Sequence, residues 1–402
     1  MEIVRPATVG AARENVAARC RDVRAATEHL AARLSAEDQT VQSMPDASPT
    51  KWHRAHTSWF FEQFLLRPRL PGYRPFDERF AFLFNSYYVA AGPRHARFQR
   101  GLITRPSTED VRRYRAHVDA GLEKLLAGAA ADPEVEEILE IGLNHEQQHQ
   151  ELILADILHA FAQNPLLPAY DPDWVPPRPS AKGGEVALPR GIYPIGHEGE
   201  GFFFDNEGPA HEVLIHDVKL SRRLVTNRDW LAFMEDDAYG RPELWLSDGW
   251  ATAQAQSWQA PGYWQNEGGA WRQMTLGGLR PIDPDAPVSH VSFYEADAFA
   301  RWSGKVLPSE FEWEAAAREG ELEDAFGIVW QWTRSPYVAY PGYRPVEGAL
   351  GEYNGKFMSN QMVLRGSSLA TPAGHSRITY RNFFQPGQRW QFTGLRLADD
   401  GA

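Results

Sequence analysis

The chain has one cysteine, Cys20, in 402 residues. That excludes an internal disulfide and any metal site built on two thiolates. No apolar run approaches the roughly 18 residues of a membrane-spanning helix, so no bilayer crossing is expected. The opening stretch, MEIVRPATVGAARENVAARCRD, lacks the apolar core of a secretory signal, and a cytoplasmic location is expected. Positive charge is scarce: Lys and Arg number 41 against 53 Asp and Glu, a net charge of −12. A nucleic-acid or anionic-membrane surface would want a basic face, so neither partner is expected. No internal repeat is present. With thiol pairs excluded, catalysis has to come from histidine, carboxylate, tyrosine or a bound metal. At about 150 residues per domain, the length predicts two or three domains, each with its own core.

Helical periodicity is concentrated in the first 163 residues. Residues 10–35, 108–128 and 133–163 carry apolar side chains at helical spacing, and Trp52 to Leu66 does so after the Ser48-Pro49-Thr50 start signal. Four such helices with short connections predict an up-and-down bundle. From Gln163 to Gly191 the chain is rich in Pro and Gly and reads as a linker, here bounded at 166–190 between domains at 1–165 and 191–402. Beyond it, eleven of the 14 tryptophans follow residue 220. Periodic helices there are short, at Thr226–Glu235, Ser292–Ser303 and Ser309–Arg318, and runs such as His211–Leu220 are strand-like. This predicts a loop-rich α+β domain whose tryptophans fill the core.

The strongest chemical signal is Asn144-His145-Glu146-Gln147-Gln148-His149 in the middle of the 133–163 helix. His145 and His149, four apart, project from one face together with Ile138, Ile141, Leu152 and Asp156. Such a pair facing a bundle core can chelate a divalent metal through neutral imidazoles. Without a metal, both rings would need other buried partners, a costly arrangement. His53 and His56, in Lys51-Trp52-His53-Arg54-Ala55-His56, offer a third ligand. Three protein nitrogens with open positions describe a catalytic Zn²⁺ or Fe²⁺ site. The same residues satisfy H-E-x-x-H, the zinc-hydrolase pattern with Glu as base. His159, ten residues on, lacks the Gly turn that one protease class places there.

Several stretches together resemble the iron-dependent sulfoxide synthases of ergothioneine biosynthesis. They are Ser43 to His53 with His56-Thr57-Ser58-Trp59-Phe60-Phe61-Glu62, Phe84-Asn85-Ser86-Tyr87-Tyr88, Arg100-Gly101-Leu102 to Arg105-Pro106, and the HEQQHQE segment. In the second half they are Arg241 to Trp250, Tyr294 to Trp302, Tyr380-Arg381-Asn382-Phe383-Phe384 and Arg389 to Gly394. The resemblance runs in order along nearly the whole chain. It implies a DinB-like four-helix bundle followed by a formylglycine-generating-enzyme-like domain with a C-type-lectin-like fold, and an active site where the two halves meet. It further implies Fe²⁺ held by His56, His145 and His149, O₂ as co-substrate, and attachment of a chalcogen at C2 of the imidazole of hercynine, a histidine betaine. His53 is then structural.

By the same carry-over, Gln148 and Asn382 contact hercynine, with Phe383 beside its trimethylammonium, as cation–π attraction favours. Tyr87 or Tyr88 is the phenol that can deliver a proton or electron and divert oxygen toward bond formation. Arg94, Arg97, Arg377 and Arg381 are candidates for an anionic group of the donor, since guanidinium is the natural partner of a carboxylate or phosphate. Four segments depart from the family pattern: Gly366 to Pro372, with Leu369 where cysteine is expected; Gln385-Pro386-Gly387-Gln388; Val329-Trp330-Gln331-Trp332-Thr333; and Pro287-Val288-Ser289-His290. All lie in the half expected to help bind the donor. They suit a changed donor, and the selenoneine synthases of the larger family join hercynine to a selenosugar. The donor is thus cysteine or γ-glutamylcysteine in one reading and a selenosugar in the other. A formylglycine-generating enzyme needs C-terminal cysteines for copper, and Cys20 is the only cysteine. A non-catalytic lectin-like module would leave the histidines idle.

Overall fold

The computed structural model describes residues 7–128, 132–180, 183–345 and 354–399, with side chains from residue 16. The chain divides into two compact units, Met1–Gln163 and Asn164–Ala402.

The first unit is a bundle of four helices, α1 (Ala7–Ala31), α2 (Thr50–Phe61), α3 (Thr108–Gly128) and α4 (Pro133–Gln163). Two of them start where local chemistry dictates. Ser107 Oγ accepts the N–H of Asp110, whose carboxylate returns a bond to Ser107, a reciprocal cap for α3. Pro133 opens α4, and the Asp132 carboxylate accepts the N–H of Glu134. Every residue of α2 is buried, because it packs against α1, α3 and α4. It runs on through a π-helical turn, Glu62–Leu66. The buried Glu62 carboxylate there accepts the hydroxyls of Tyr73 and Tyr114 at 2.7 and 2.8 Å. Close approach of α2 and α4 depends on Gly142, where an added Cβ would lie 2.3 Å from Phe61 Cε1.

The second unit is α+β. Strands β1 (Glu185–Leu188) and β4 (Val218–Ser221) form one antiparallel pair, and β2 (Gly191–Ile195) and β3 (His211–Ile215) another. After α5 (Asn227–Glu235) and α6 (Ser247–Ala255) come the antiparallel strands β5 (Trp264–Glu267), β6 (Ala270–Thr275) and β7 (Gly278–Pro281). Helices α7 (Phe293–Trp302) and α8 (Glu310–Arg318) precede β8 (Trp330–Pro336), β9 (Met362–Gly366), β10 (Asn382–Phe384) and β11 (Thr393–Leu395). The sheet order is β10-β9-β8-β11, with β11 parallel to β8. One core gathers Val186, Leu188, Ile215, Val218, Leu220 and Trp313. Trp230, Trp313, Trp330 and Trp332 are fully buried, as expected of a core made of long loops.

The expected helices α5, α7 and α8 each begin on a capping box, from Thr226, Ser292 and Ser309. Helix α6 was not among the expected helices, and it has no side-chain cap to mark its start. Gly249 is needed because the Tyr294 ring lies 2.8 Å from where its Cβ would be. The 166–190 linker is corrected at its end: Glu185–Leu188 is strand β1 of the second unit. Its earlier part is also tied down, by Asp171 N–H to Leu276 O and Arg280 to Pro172 O. The expected strand His211–Leu220 is two strands broken at His216-Asp217.

Gly142→Ala should destabilise the protein by about 1–3 kcal/mol, the cost of overpacking a core. Gly128→Ala, with nothing within 4 Å of the added Cβ, should not. Urea midpoints of the two variants check this.

Candidate metal centre

Helix α2 carries Trp52, His53, His56 and Trp59 to the bundle core, and α4 carries His145 and His149. One ligand atom from each of His56, His145 and His149 lies within 4.8 Å of the others, and all three residues are buried. His56 Nδ1 donates to the carbonyl of Phe84 at 2.6 Å, which leaves the lone pair on Nε2. That Nε2 is buried with no hydrogen-bond partner. An acceptor left bare in an apolar core is costly, and a divalent cation at the centre of the triad satisfies it. Three imidazole nitrogens are a fitting donor set for a metal that keeps open positions.

Burial sets the protonation of the site. It brings the His145 imidazolium down to about 3, although neighbouring Glu146 opposes the shift. It also holds His56 and His149 well below the ordinary histidine range, helped by the other histidines. All three rings are therefore neutral at pH 7, the form that binds metal. Trp52 stacks on His56 at 4.5 Å, Trp59 stacks on it at 5.5 Å, and Phe60 lies 4.9 Å from His145. Of the residues expected on the histidine face, Ile138 and Asp156 are buried while Ile141 and Leu152 are half-buried.

Glu146 is no general base. Its fully buried carboxylate accepts Thr27 Oγ1 at 2.7 Å, Arg115 Nη2 at 2.8 Å and Arg24 Nη1 at 3.0 Å. Burial alone would raise its pKa, but the Arg24 and Arg115 charges bring it down to about 2. This corrects the zinc-hydrolase alternative: the H-E-x-x-H glutamate is a counter-ion inside the bundle.

The Phe84–Tyr88 loop is fastened to His56 through the Phe84 carbonyl, and buried Asn85 holds it by donating to the carbonyls of Tyr88 and Gly92. Tyr88 is fully buried against Trp59, Phe60 and Phe64, while Tyr87 is half-buried and stacks on Tyr88 at 4.7 Å. Gln148, just before His149, is half-buried. Arg94 and Arg97 are exposed, bonded to the carbonyls of Ser86 and Asp46. Sequence reasoning missed Arg100, whose guanidinium lies 3.4 Å over Trp52 and donates to Ser48 and Ser86. Its three-residue spacing from Arg97 was the available signal.

In the second unit, Asn382 Oδ1 accepts the N–H of Phe383, and the Phe383 ring stacks on Tyr337 at 4.1 Å. Arg377 and Arg381 are engaged within the fold. Arg377 is bonded to Glu207 by Nε and Nη2. Fully buried Arg381 bonds Glu310 through Nε and Nη2 and the carbonyls of Asn206 and Val338. Their charges are compensated by carboxylates of the same unit. Two departures from the family pattern are internal as well. Buried Gln331 accepts Trp313 Nε1–H and Arg396 Nε–H and donates to Ala325 O, and Ser289 accepts from Gln273.

A DinB-superfamily model matches residues 19–153, and the sulfatase-modifying factor enzyme 1-like domain matches residues 173–327. The fold and site thus define a two-domain protein with a buried three-histidine centre in its helical domain. The hercynine oxygenase of Mycolicibacterium smegmatis is 32% identical, with 89% of this chain and 92% of that protein aligned. That of Mycobacterium tuberculosis is 30% identical over the same shares. The formylglycine-generating enzyme of Streptomyces coelicolor is 34% identical over 36% of this chain and 49% of that enzyme. The chain belongs to the hercynine oxygenase family, a family of oxidoreductases. Among the described residues, no helix is long and apolar enough to cross a membrane.

Glu146→Gln should cost about 3–5 kcal/mol, because it leaves two buried arginines short of charge. The pH dependence has two parts with one sign. Histidines whose folded pKa is lowered from 6.5 leave the unfolded chain binding more protons below that pH, so metal-free stability begins to fall there. Glu146, lowered from 4.5, adds a further loss as pH drops from about 4.5 toward 2. Urea midpoints of the metal-free protein from pH 7 to 4 should show the first part in both wild type and Glu146→Gln.

Proposed function

We propose that this protein is an Fe²⁺- and O₂-dependent synthase that forms a carbon–chalcogen bond at imidazole C2 of hercynine. The observation that carries this is the neutral, buried histidine triad with its bare Nε2, in a chain of the hercynine oxygenase family. Fe²⁺ held by His56, His145 and His149 supplies open positions for reactants and the redox capacity to use O₂. With a thiol donor, the C2–H and S–H bonds are lost, C–S and S–O bonds form, and the second oxygen atom leaves as water.

The chain's own residues bind and orient. Gln148 and Asn382 hydrogen-bond hercynine. Phe383 offers a π face to the quaternary ammonium. Tyr87 or Tyr88 supplies the phenolic proton. Arg94 and Arg97 are exposed, and they suit the carboxylate of hercynine or of cysteine or γ-glutamylcysteine.

A selenosugar donor is the second reading, and one observation favours it. The segment Asn382 to Trp390 has no acidic residue, while Glu207, Glu295, Glu310 and Glu314 are all paired with arginines. An amino-acid donor would want a carboxylate for its ammonium. Sugar hydroxyls need only neutral amides such as Gln385, which is exposed.

The test is product mass spectrometry of aerobic reactions of Fe²⁺-loaded protein with hercynine, offering cysteine, γ-glutamylcysteine and a selenosugar separately. A hercynine–sulfur adduct one oxygen heavier is the expected product. An adduct with the selenosugar alone assigns the second reading, and no adduct with any donor refutes the proposal. If the sugar is the donor, replacing Gln385 and Gln388 by leucine should lower turnover with it about tenfold, the worth of one or two hydrogen bonds. Equal loss with every donor would sink the sugar assignment.

A further inference from the structure

Four histidines meet between α2 and α4, and three of them form the ligand set. The fourth, His53, is 2% exposed and bonded at both ring nitrogens. Its Nδ1 lies 2.7 Å from His149 Nδ1, and its Nε2 lies 3.0 Å from Asp156 Oδ2. A carboxylate only accepts, so Nε2 of His53 is the donor, and its lone pair sits on Nδ1. That lone pair takes the Nδ1–H of His149, and His149 keeps its own lone pair on Nε2. The same Asp156 oxygen accepts the backbone N–H of Ser48 at 2.8 Å, just ahead of α2. Asp156 and His149 are seven residues apart, two turns along one face of α4. His53 is bracketed between them.

We propose that Asp156 and His53 form a positioning pair that sets the tautomer and ring orientation of His149, so that His149 presents Nε2 to the metal. The inference rests on the reading of the triad as the metal centre. His56 is treated alike by a different acceptor, the Phe84 carbonyl. Outer partners of this kind orient a ligand and raise its basicity. His53 is thereby a positioning residue and not an alternative ligand, although it lies one turn from His56.

The experiment is anaerobic Co²⁺ titration of the full chain, read by ligand-field absorption, for wild type, His56→Ala, His53→Phe, Asp156→Leu and Asp156→Asn. Wild type should bind one Co²⁺ and His56→Ala should lose it. His53→Phe and Asp156→Leu should bind about 10–100-fold more weakly with shifted bands, the usual scale for such partners. Asp156→Asn, which keeps an acceptor oxygen, should stay within about threefold of wild type. Folded His53→Phe and Asp156→Leu with wild-type affinity and spectrum would overturn the inference, as would lowered stability alone. His53→Phe takes one partner from the buried Asp156 carboxylate and can fail to fold, so a second measurement uses wild type. In ¹⁵N-histidine NMR of the Zn²⁺-loaded protein, His56 and His149 should be protonated on Nδ1 and His53 on Nε2. A zinc-bound His53 or an Nδ1-ligated His149 overturns it. Failure of wild type to take Co²⁺, or full binding by His56→Ala, would refute the metal-centre reading itself, a result distinct from loss of the pair alone.

Discussion

Three neutral imidazoles crowded into a space under 5 Å across, inside a helical bundle, set the terms for everything around them. Each ring must be neutral, and His56 and His149 each bond one nitrogen and keep the lone pair on the other. Burial accomplishes the first. The second takes specific acceptors, and these come from different parts of the chain: a loop carbonyl at Phe84, and a side-chain relay from Asp156 through His53. The aromatic lining of Trp52, Trp59 and Phe60 keeps the surroundings apolar. In a low-dielectric interior hydrogen bonds gain strength and unpaired polar groups become expensive, so the site depends on each of these bonds.

A second electrostatic layer lies beside the first. Glu146, between the two α4 histidines in sequence, turns the other way and binds Arg24, Arg115 and Thr27, joining α4 to α1 and α3. One helix thus presents two nitrogens of the candidate metal centre on one face and the anionic centre of a buried ion network on the next. The C-terminal unit repeats the device: Arg365 and Arg381 are fully buried with Glu310 and Glu314. Buried charges that are paired and hydrogen-bonded specify an arrangement more than they stabilise it. Here the Arg381–Glu310 pair lies immediately ahead of β10, which carries Asn382 and Phe383.

Much of the helical unit was legible in the sequence. Helices 108–128 and 133–163 appear with the expected limits, because long amphipathic runs with Ser and Pro starts leave little choice. The three capped helices of the second unit were equally plain, since Ser/Thr followed three residues later by Asp/Glu is a local signal. Helix α6 and the strand β1 were not, because the first has no side-chain cap and the second is four residues inside a Pro- and Gly-rich stretch. The roles of the arginines could not be told apart from composition: Arg377 and Arg381 look like Arg94 and Arg97 until Glu207 and Glu310, roughly 70 to 170 residues away in the chain, are seen to face them.

The sequence by itself determined the class of protein, the helical bundle and the histidine pair, because i,i+4 spacing on a helix fixes which side chains share a face. Spacing alone left the third ligand open between His53 and His56, and the family resemblance pointed to His56. Only the tertiary structure set His53 between His149 and Asp156 and turned Glu146 from a candidate base into a counter-ion. Those decisions rest on hydrogen bonds between residues up to about 120 positions apart, and no local pattern records which distant partner a buried polar group will meet.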